Sequence, residues 1–136
     1  SMKEDLQSVD PEQLKLARAA IELRRAQARA ALVESARPDD RQMEDVDTAV
    51  RTMNSTLLSL ADELSGMIKD GEEPDRRDAM EFAADALDAM IVAEDSMRSA
   101  LDSDQLAALP EGALDPFSYV SPELVDVLTQ LGAAAE

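Results

Sequence analysis

The sequence predicts an all-α protein, an elongated antiparallel helical bundle of three long helices plus a short C-terminal helix. One observation is an unbroken apolar stripe with alternating spacings of three and four residues, the pattern of a long helix with one buried face. Its members are Met43, Val46, Val50, Met53, Leu57, Leu60, Leu64 and Met67. The other is that short polar links containing proline separate this stretch from two further helical stretches. Links of this length favour antiparallel neighbours.

The first helix is predicted over residues 11–36. Asp10 is suited to cap it, Pro11 to occupy its first position and Gln13 to complete a capping box. Its apolar face is rich in alanine, which permits close helix approach but offers little area per residue. Pro38 ends it, and the first helix is therefore the expected first neighbour of the stripe.

The second helix, predicted over residues 40–70, contains the stripe. From Leu57 onward the apolar surface widens to include Leu58, Ala61 and Ile68. We therefore expect this half to be covered by more than one neighbour. The cover is the C-terminal segment, a second copy of the chain or a partner. Asn54-Ser55-Thr56 matches a glycosylation acceptor, which we interpret as a chance match inside a helix.

The third helix is predicted over residues 75–101, after a polar turn that contains Pro74. Its expected buried seam comprises Met80, Ala83, Leu87, Met90, Glu94, Met97 and Leu101. Glu94 interrupts this seam with a carboxylate. Either it pairs with an arginine of the first helix, or the helix turns so that Ile91 takes the buried position.

The C-terminal part is predicted to contain a short helix over residues 103–109, a linker over 110–121 and a last helix over 122–131, ended by Gly132. Phe117 and Tyr119 lie in the linker. They form either a recognition strap for a partner or a cover for the open end of the bundle. Residues 2–136 are expected to form a single domain, as the length suggests.

Composition excludes several classes of function. The net charge of −17 disfavours direct binding to nucleic acid or to anionic membranes, both of which reward Lys and Arg. The chain has no Cys, and therefore no thiol nucleophile, and no His, which is the commonest general base and transition-metal ligand. No catalytic residue, cofactor or enzyme activity is therefore predicted. With no apolar run of the roughly 20 residues that a membrane span needs, and no secretory signal, a cytoplasmic location is expected.

Acidic side chains recur on the third helix at positions directed away from the predicted seam. They are Asp78, Glu81, Asp85, Asp88, Asp95 and Asp102. The charge is also uneven along the chain: residues 2–51 have a net charge of −2, and residues 52–136 have −15. Such a face is either merely solvated or it binds a basic protein.

The sequence therefore predicts a non-enzymatic protein–protein interaction module, such as an adaptor, chaperone or inhibitor, with an acidic surface for a basic partner. A second, apolar partner-binding surface is expected from Phe117, Tyr119, Leu124, Leu128 and Leu131. One alternative is a DNA mimic or a toxin-neutralising, immunity-type protein. Another is a helical bundle that binds metal through oxygen ligands, although no metal-ligating residues are predicted because ferritin-like sites need His. Association into a homodimer remains open, and the sequence identifies neither partner nor pathway.

Overall fold

The computed structural model describes the backbone of residues 10–134 and the side-chain surroundings of residues 10–129. Over this range the chain is helical and contains no strand, which confirms the all-α prediction. None of the described helices is long and apolar enough to cross a membrane. The helices are α1 (Pro11–Ala36), α2 (Asp40–Lys69), α3 (Arg76–Ala100), α4 (Ser103–Ala108) and α5 (Glu123–Ala134), with a 3₁₀ turn at Pro116–Tyr119.

The starts of the first four helices are set by the same device. An aspartate precedes each helix, and its carboxylate accepts a hydrogen bond of 2.8 Å from the N–H three residues later. The side chain of that later residue accepts a bond from the N–H of the aspartate in return. Each cap stabilises its helix by about 0.5–2 kcal/mol. The caps are Asp10, Asp39, Asp75 and Asp102.

Helix α2 is the centre of the packing, because both α3 and α5 lie against it. Val46, Val50, Met53 and Leu57 are buried, as the apolar stripe predicts. Beyond Leu57 the buried positions are Ala61 and Ser65, and the leucines of the stripe are half-buried. Helix α5 packs on α2, so the C-terminal segment lies on its own chain.

Helix α1 occupies a different place from the one expected. It packs against α4, the 3₁₀ turn and α5, whereas its direct contact with α2 is slight. Helix α1 is therefore not the main neighbour of α2, but it does reach the stripe, because Leu32 shares the core cluster with Val46 and Val50. Its inward face places the half-buried Arg18 and Arg25 between apolar residues, which limits the apolar surface that α1 offers to the stripe. The C-terminal segment supplies Leu114 and Tyr119 to the core instead.

The buried face of α3 is turned relative to the predicted seam. Ala93, Met97 and Leu101 are buried as part of the core, and Ala86 and Met90 pack against it. Met80 and Leu87, however, are 61% and 51% exposed, so their prediction as core residues is wrong. A straight helix has 3.6 residues per turn, which places Leu87 and Met80 about 80° and 100° away from the direction of Met97.

Both expectations for Glu94 are also wrong. Its half-buried carboxylate lies 3.6 Å from Arg98 of its own helix, one turn later. Ile91 is 57% exposed, and the buried position belongs to Ala93. Because the pair is partly exposed, it contributes at most about 0.5 kcal/mol.

The last helix is longer than predicted. It begins at Glu123 and continues past Gly132 to Ala134, so Gly132 does not end it. Glycine keeps its backbone N–H and C=O, and therefore only weakens a helix, by about 1 kcal/mol relative to alanine.

Candidate functional site

The most distinctive surface feature is a groove between α2 and α3, which we call the α2–α3 groove. Its main hollow has a volume of ≈ 370 Å³, and a neighbouring one of ≈ 420 Å³ continues it toward the C-terminal end of α3. The two share Asp45, Val92 and Ser96. Along α3 the lining extends from Asp85 to Ala100, a length of about 22 Å at 1.5 Å per residue.

The floor of the groove is apolar and made largely of small side chains. Ala49 and Met53 from α2 and Ala93 from α3 are buried beneath it, while Val92 is 56% exposed. Ala89 and Ser96 of α3 also line the groove. Because these side chains are short, the two helices leave a hollow above their contact instead of filling it.

The rims of the groove are acidic. Asp45 from α2 and Asp85, Asp88 and Asp95 from α3 line it and are exposed to solvent. Thr48, Thr52 and Thr56 add hydroxyl groups along the α2 side, and none of the described lining residues is basic. The groove therefore combines an apolar floor with negatively charged edges.

The six acidic residues predicted as one binding face have different surroundings. Asp85, Asp88 and Asp95 line the groove. Asp78 and Asp102 belong to the caps of α3 and α4. The remaining acid, Glu81, accepts a hydrogen bond of 3.1 Å from Arg77. The structure thus brings three of the predicted acids together at one site and adds Asp45, which the sequence did not single out.

Residues 110–121, which we call the strap, place their two aromatic rings differently. Tyr119 is 2% exposed and its hydroxyl donates a 2.7 Å hydrogen bond to the carbonyl oxygen of Ala113. Burial, opposed by the positive charge of Arg29 and reinforced by the negative charge of Asp47, raises the pKa of Tyr119 to about 12. Its phenol is therefore neutral and belongs to the core. Phe117, by contrast, is 54% exposed.

Asn54 of α2 holds the strap in place. Its Nδ2 donates to the carbonyl oxygen of Tyr119 at 3.0 Å, and its Oδ1 accepts from the N–H of Ser121 at 2.8 Å. Asn54 itself is buried. The sequence analysis missed this role, although an amide adjoining the buried stripe was a usable signal, because buried polar groups need partners.

Leu124 and Leu128 of α5 are half-buried against their own chain. The side chain of Leu131 lies outside the described residues. Asp126 of α5 binds Arg18 of α1 at 2.8 Å, which ties α5 to α1. Helix α5 is thus placed by intramolecular contacts, and its role in partner binding stays a prediction.

The acidic groups of the described residues do not converge on a metal site: no three of them are arranged to hold an ion. No protein family, curated protein or solved structure matches this chain.

Proposed function

We propose that this protein is a non-enzymatic protein-binding module, of the adaptor, chaperone or inhibitor kind, that receives a basic amphipathic segment of a partner protein in the α2–α3 groove. In this proposal α1, α2 and α3 form an elongated antiparallel bundle completed by the C-terminal helix. The groove then lies along one side of that bundle. The short links after α1 and α2 support this arrangement.

The observation that carries the proposal is the position of Val92. Its exposed apolar side chain lines the groove together with Asp45 on one helix and Asp85, Asp88 and Asp95 on the other. Apolar side chains of a partner would cover Val92 and the alanines, while its Lys and Arg side chains would meet the rims. That combination fits a helix laid in a groove better than it fits an ion or a small molecule.

Charge supports the choice of a basic partner. Residues 52–136 have a net charge of −15, so the whole region attracts cations over the distance that salt permits. Each exposed ion pair contributes only about 0–1 kcal/mol, so tight binding needs several pairs together with burial of the floor. Binding should therefore weaken steeply with salt.

The dispersal of the six predicted acids favours this function over imitation of DNA. A mimic needs charges at regular, phosphate-like intervals on a free face. Here Asp78 and Asp102 are engaged in helix caps and Glu81 is paired with Arg77. Of the six predicted acids, only the three that line the groove remain outside these caps and pairs.

The test uses a fluorescent helical peptide of about 15 residues, with Leu on one face and Lys on the other, matched to the groove length. Asp85→Lys with Asp88→Lys should weaken binding at least tenfold. The matched control is Glu72→Lys with Glu73→Lys, which makes the same charge change in the loop after α2 and should retain most of the affinity. Equal loss in both double variants would mean non-specific attraction and would contradict the proposal.

The same variants identify the natural partner. In affinity capture from the source cells, the partner should be retained by the wild-type protein and by the loop variant, and lost by the groove variant. A protein captured equally by all three does not use the groove.

A further inference from the structure

Helix α1 carries a second apolar seam on its outer face. Its members follow spacings of three, four, three, four and three, the a and d positions of a coiled coil. They are all exposed, with Leu16, Leu23 and Val33 at 71%, 59% and 41%. We call this set the outer seam: Leu16, Ala19, Leu23, Ala26, Ala30 and Val33.

The opposite face of α1 is already used within the chain. Leu32 is fully buried in the core, Arg18 binds Asp126, and Leu14 and Ile21 are half-buried. Helix α1 is thus apolar on two sides, and only one of them is covered by the described residues. An ordinary surface helix has polar residues on its outer face, whereas a helix that is apolar on both sides is normally covered on both.

We propose that the outer seam binds the outer seam of a second copy of this chain, with the two α1 helices antiparallel about a two-fold axis. With the axis between residues 24 and 25, Leu16 faces Val33 of the second copy, Ala19 faces Ala30, and Leu23 faces Ala26. Large residues then meet smaller ones near the centre, where close approach is needed. A parallel pairing would place Leu23 against Leu23 and Ala26 against Ala26. Two leucines need a larger distance between the helices than two alanines, and one pair of straight helices does not provide both distances.

Charge complementarity also selects a second copy. Glu22 and Arg29 flank the outer seam at g positions, which face each other across an antiparallel pair. Glu22 of each copy therefore meets Arg29 of the other, twice by symmetry. Arg29 binds Asp47 through Nε and Nη2, at 3.4 and 3.0 Å, which leaves Nη1 as a further donor nitrogen. An unrelated partner would need to supply this pattern, but a second copy has it already.

Because the chain contains no cysteine, single substitutions can report the pairing directly. Under mild oxidation, a mixture of Ala19→Cys and Ala30→Cys, one of them carrying a mass tag, should give a disulfide-linked heterodimer. Neither variant alone should form a disulfide dimer efficiently. Efficient self-linking of Ala19→Cys would mean a parallel pair and would overturn the antiparallel arrangement. A sedimentation mass of 14.7 kDa at about 1 mM chain would overturn dimerisation altogether.

A point substitution provides the second test. Leu23→Lys should weaken dimerisation at least tenfold while the helical circular dichroism stays unchanged, because Leu23 is mostly exposed in the single chain. The matched control is Leu87→Lys on α3, which is 51% exposed and should leave the dimer intact. Equal effects of the two variants would exclude the outer seam as the interface. The groove variant, Asp85→Lys with Asp88→Lys, should leave the dimer intact. Peptide binding in the groove and dimerisation through the outer seam are therefore tested independently.

Discussion

At the scale of single residues, Asn54 decides where the strap lies. In a helix, the spacing of apolar residues determines which side chains face the core. Residues 110–121 have no such periodic pattern and therefore need a specific anchor. Both functional ends of the Asn54 amide are satisfied by strap backbone, which fixes the strap in position and in chain direction. Tyr119 can then insert its ring into the core beside this anchor.

We predict that Asn54→Ala lowers the free energy of unfolding by about 2–4 kcal/mol, because the buried carbonyl of Tyr119 and the N–H of Ser121 each lose a partner. Urea unfolding followed by circular dichroism measures this change. Ser55→Ala is the control, since the neighbouring serine is exposed and should cost less than about 0.5 kcal/mol. A loss for Asn54→Ala no larger than for the control would show that the strap does not depend on this amide.

At the scale of elements, the sequence predicts what is encoded locally. The proline breaks, the all-α class and the cap at Asp10 were predicted from neighbouring residues. The caps at Asp75 and Asp102 were not predicted, although each shows the same local pattern of an aspartate three residues before a side chain that accepts a hydrogen bond. The position of α1 could not be predicted in this way. It depends on whether α1 or the strap fills the space beside α2. These two segments are far apart in the sequence, so local patterns do not decide between them.

The same limit applies to the candidate site. The exposure of Asp85, Asp88 and Asp95 followed from their spacing on α3. That Asp45 of α2 lies across from them did not, because it requires the register between two helices. The outer seam of α1 was hidden for a related reason: alanines and leucines on two faces give no clear preference for either one.

The turned face of α3 gives a prediction at this scale. Met97→Ala should lower the free energy of unfolding by about 2–5 kcal/mol, because Met97 is fully buried. The heptad pattern assigned Leu87 to the core as well. Leu87→Ala should nevertheless change the free energy of unfolding by less than about 0.5 kcal/mol, because Leu87 is half-exposed and leucine and alanine both favour a helix. Chemical denaturation of both variants measures the comparison. A similar loss for the two would restore the heptad seam.

At the scale of the whole molecule, repulsion between the negative charges lowers the stability of the folded state. Asp85 and Asp88 lie three residues apart on one helix, where like charges repel, and Asp45 and Asp95 line the same groove. Neither Asp85 nor Asp88 has an ion-pair partner within 4.0 Å among residues 10–129. Under the proposed function, stability and binding therefore make opposite demands on the charges of the groove.

We therefore predict that Asp85→Asn with Asp88→Asn stabilises the free protein by a few tenths of a kcal/mol at about 0.01 M salt, while weakening peptide binding. The gain should shrink at about 0.15 M salt and above, since the Debye length falls from about 30 Å to 8 Å and screens the repulsion that the substitutions remove. Thermal unfolding over a salt series measures it. Glu72→Gln with Glu73→Gln makes the same charge change in a loop and should give a smaller gain. Destabilisation by the groove pair at every salt concentration would mean that Asp85 and Asp88 support the fold, and that their charge is not retained for a partner.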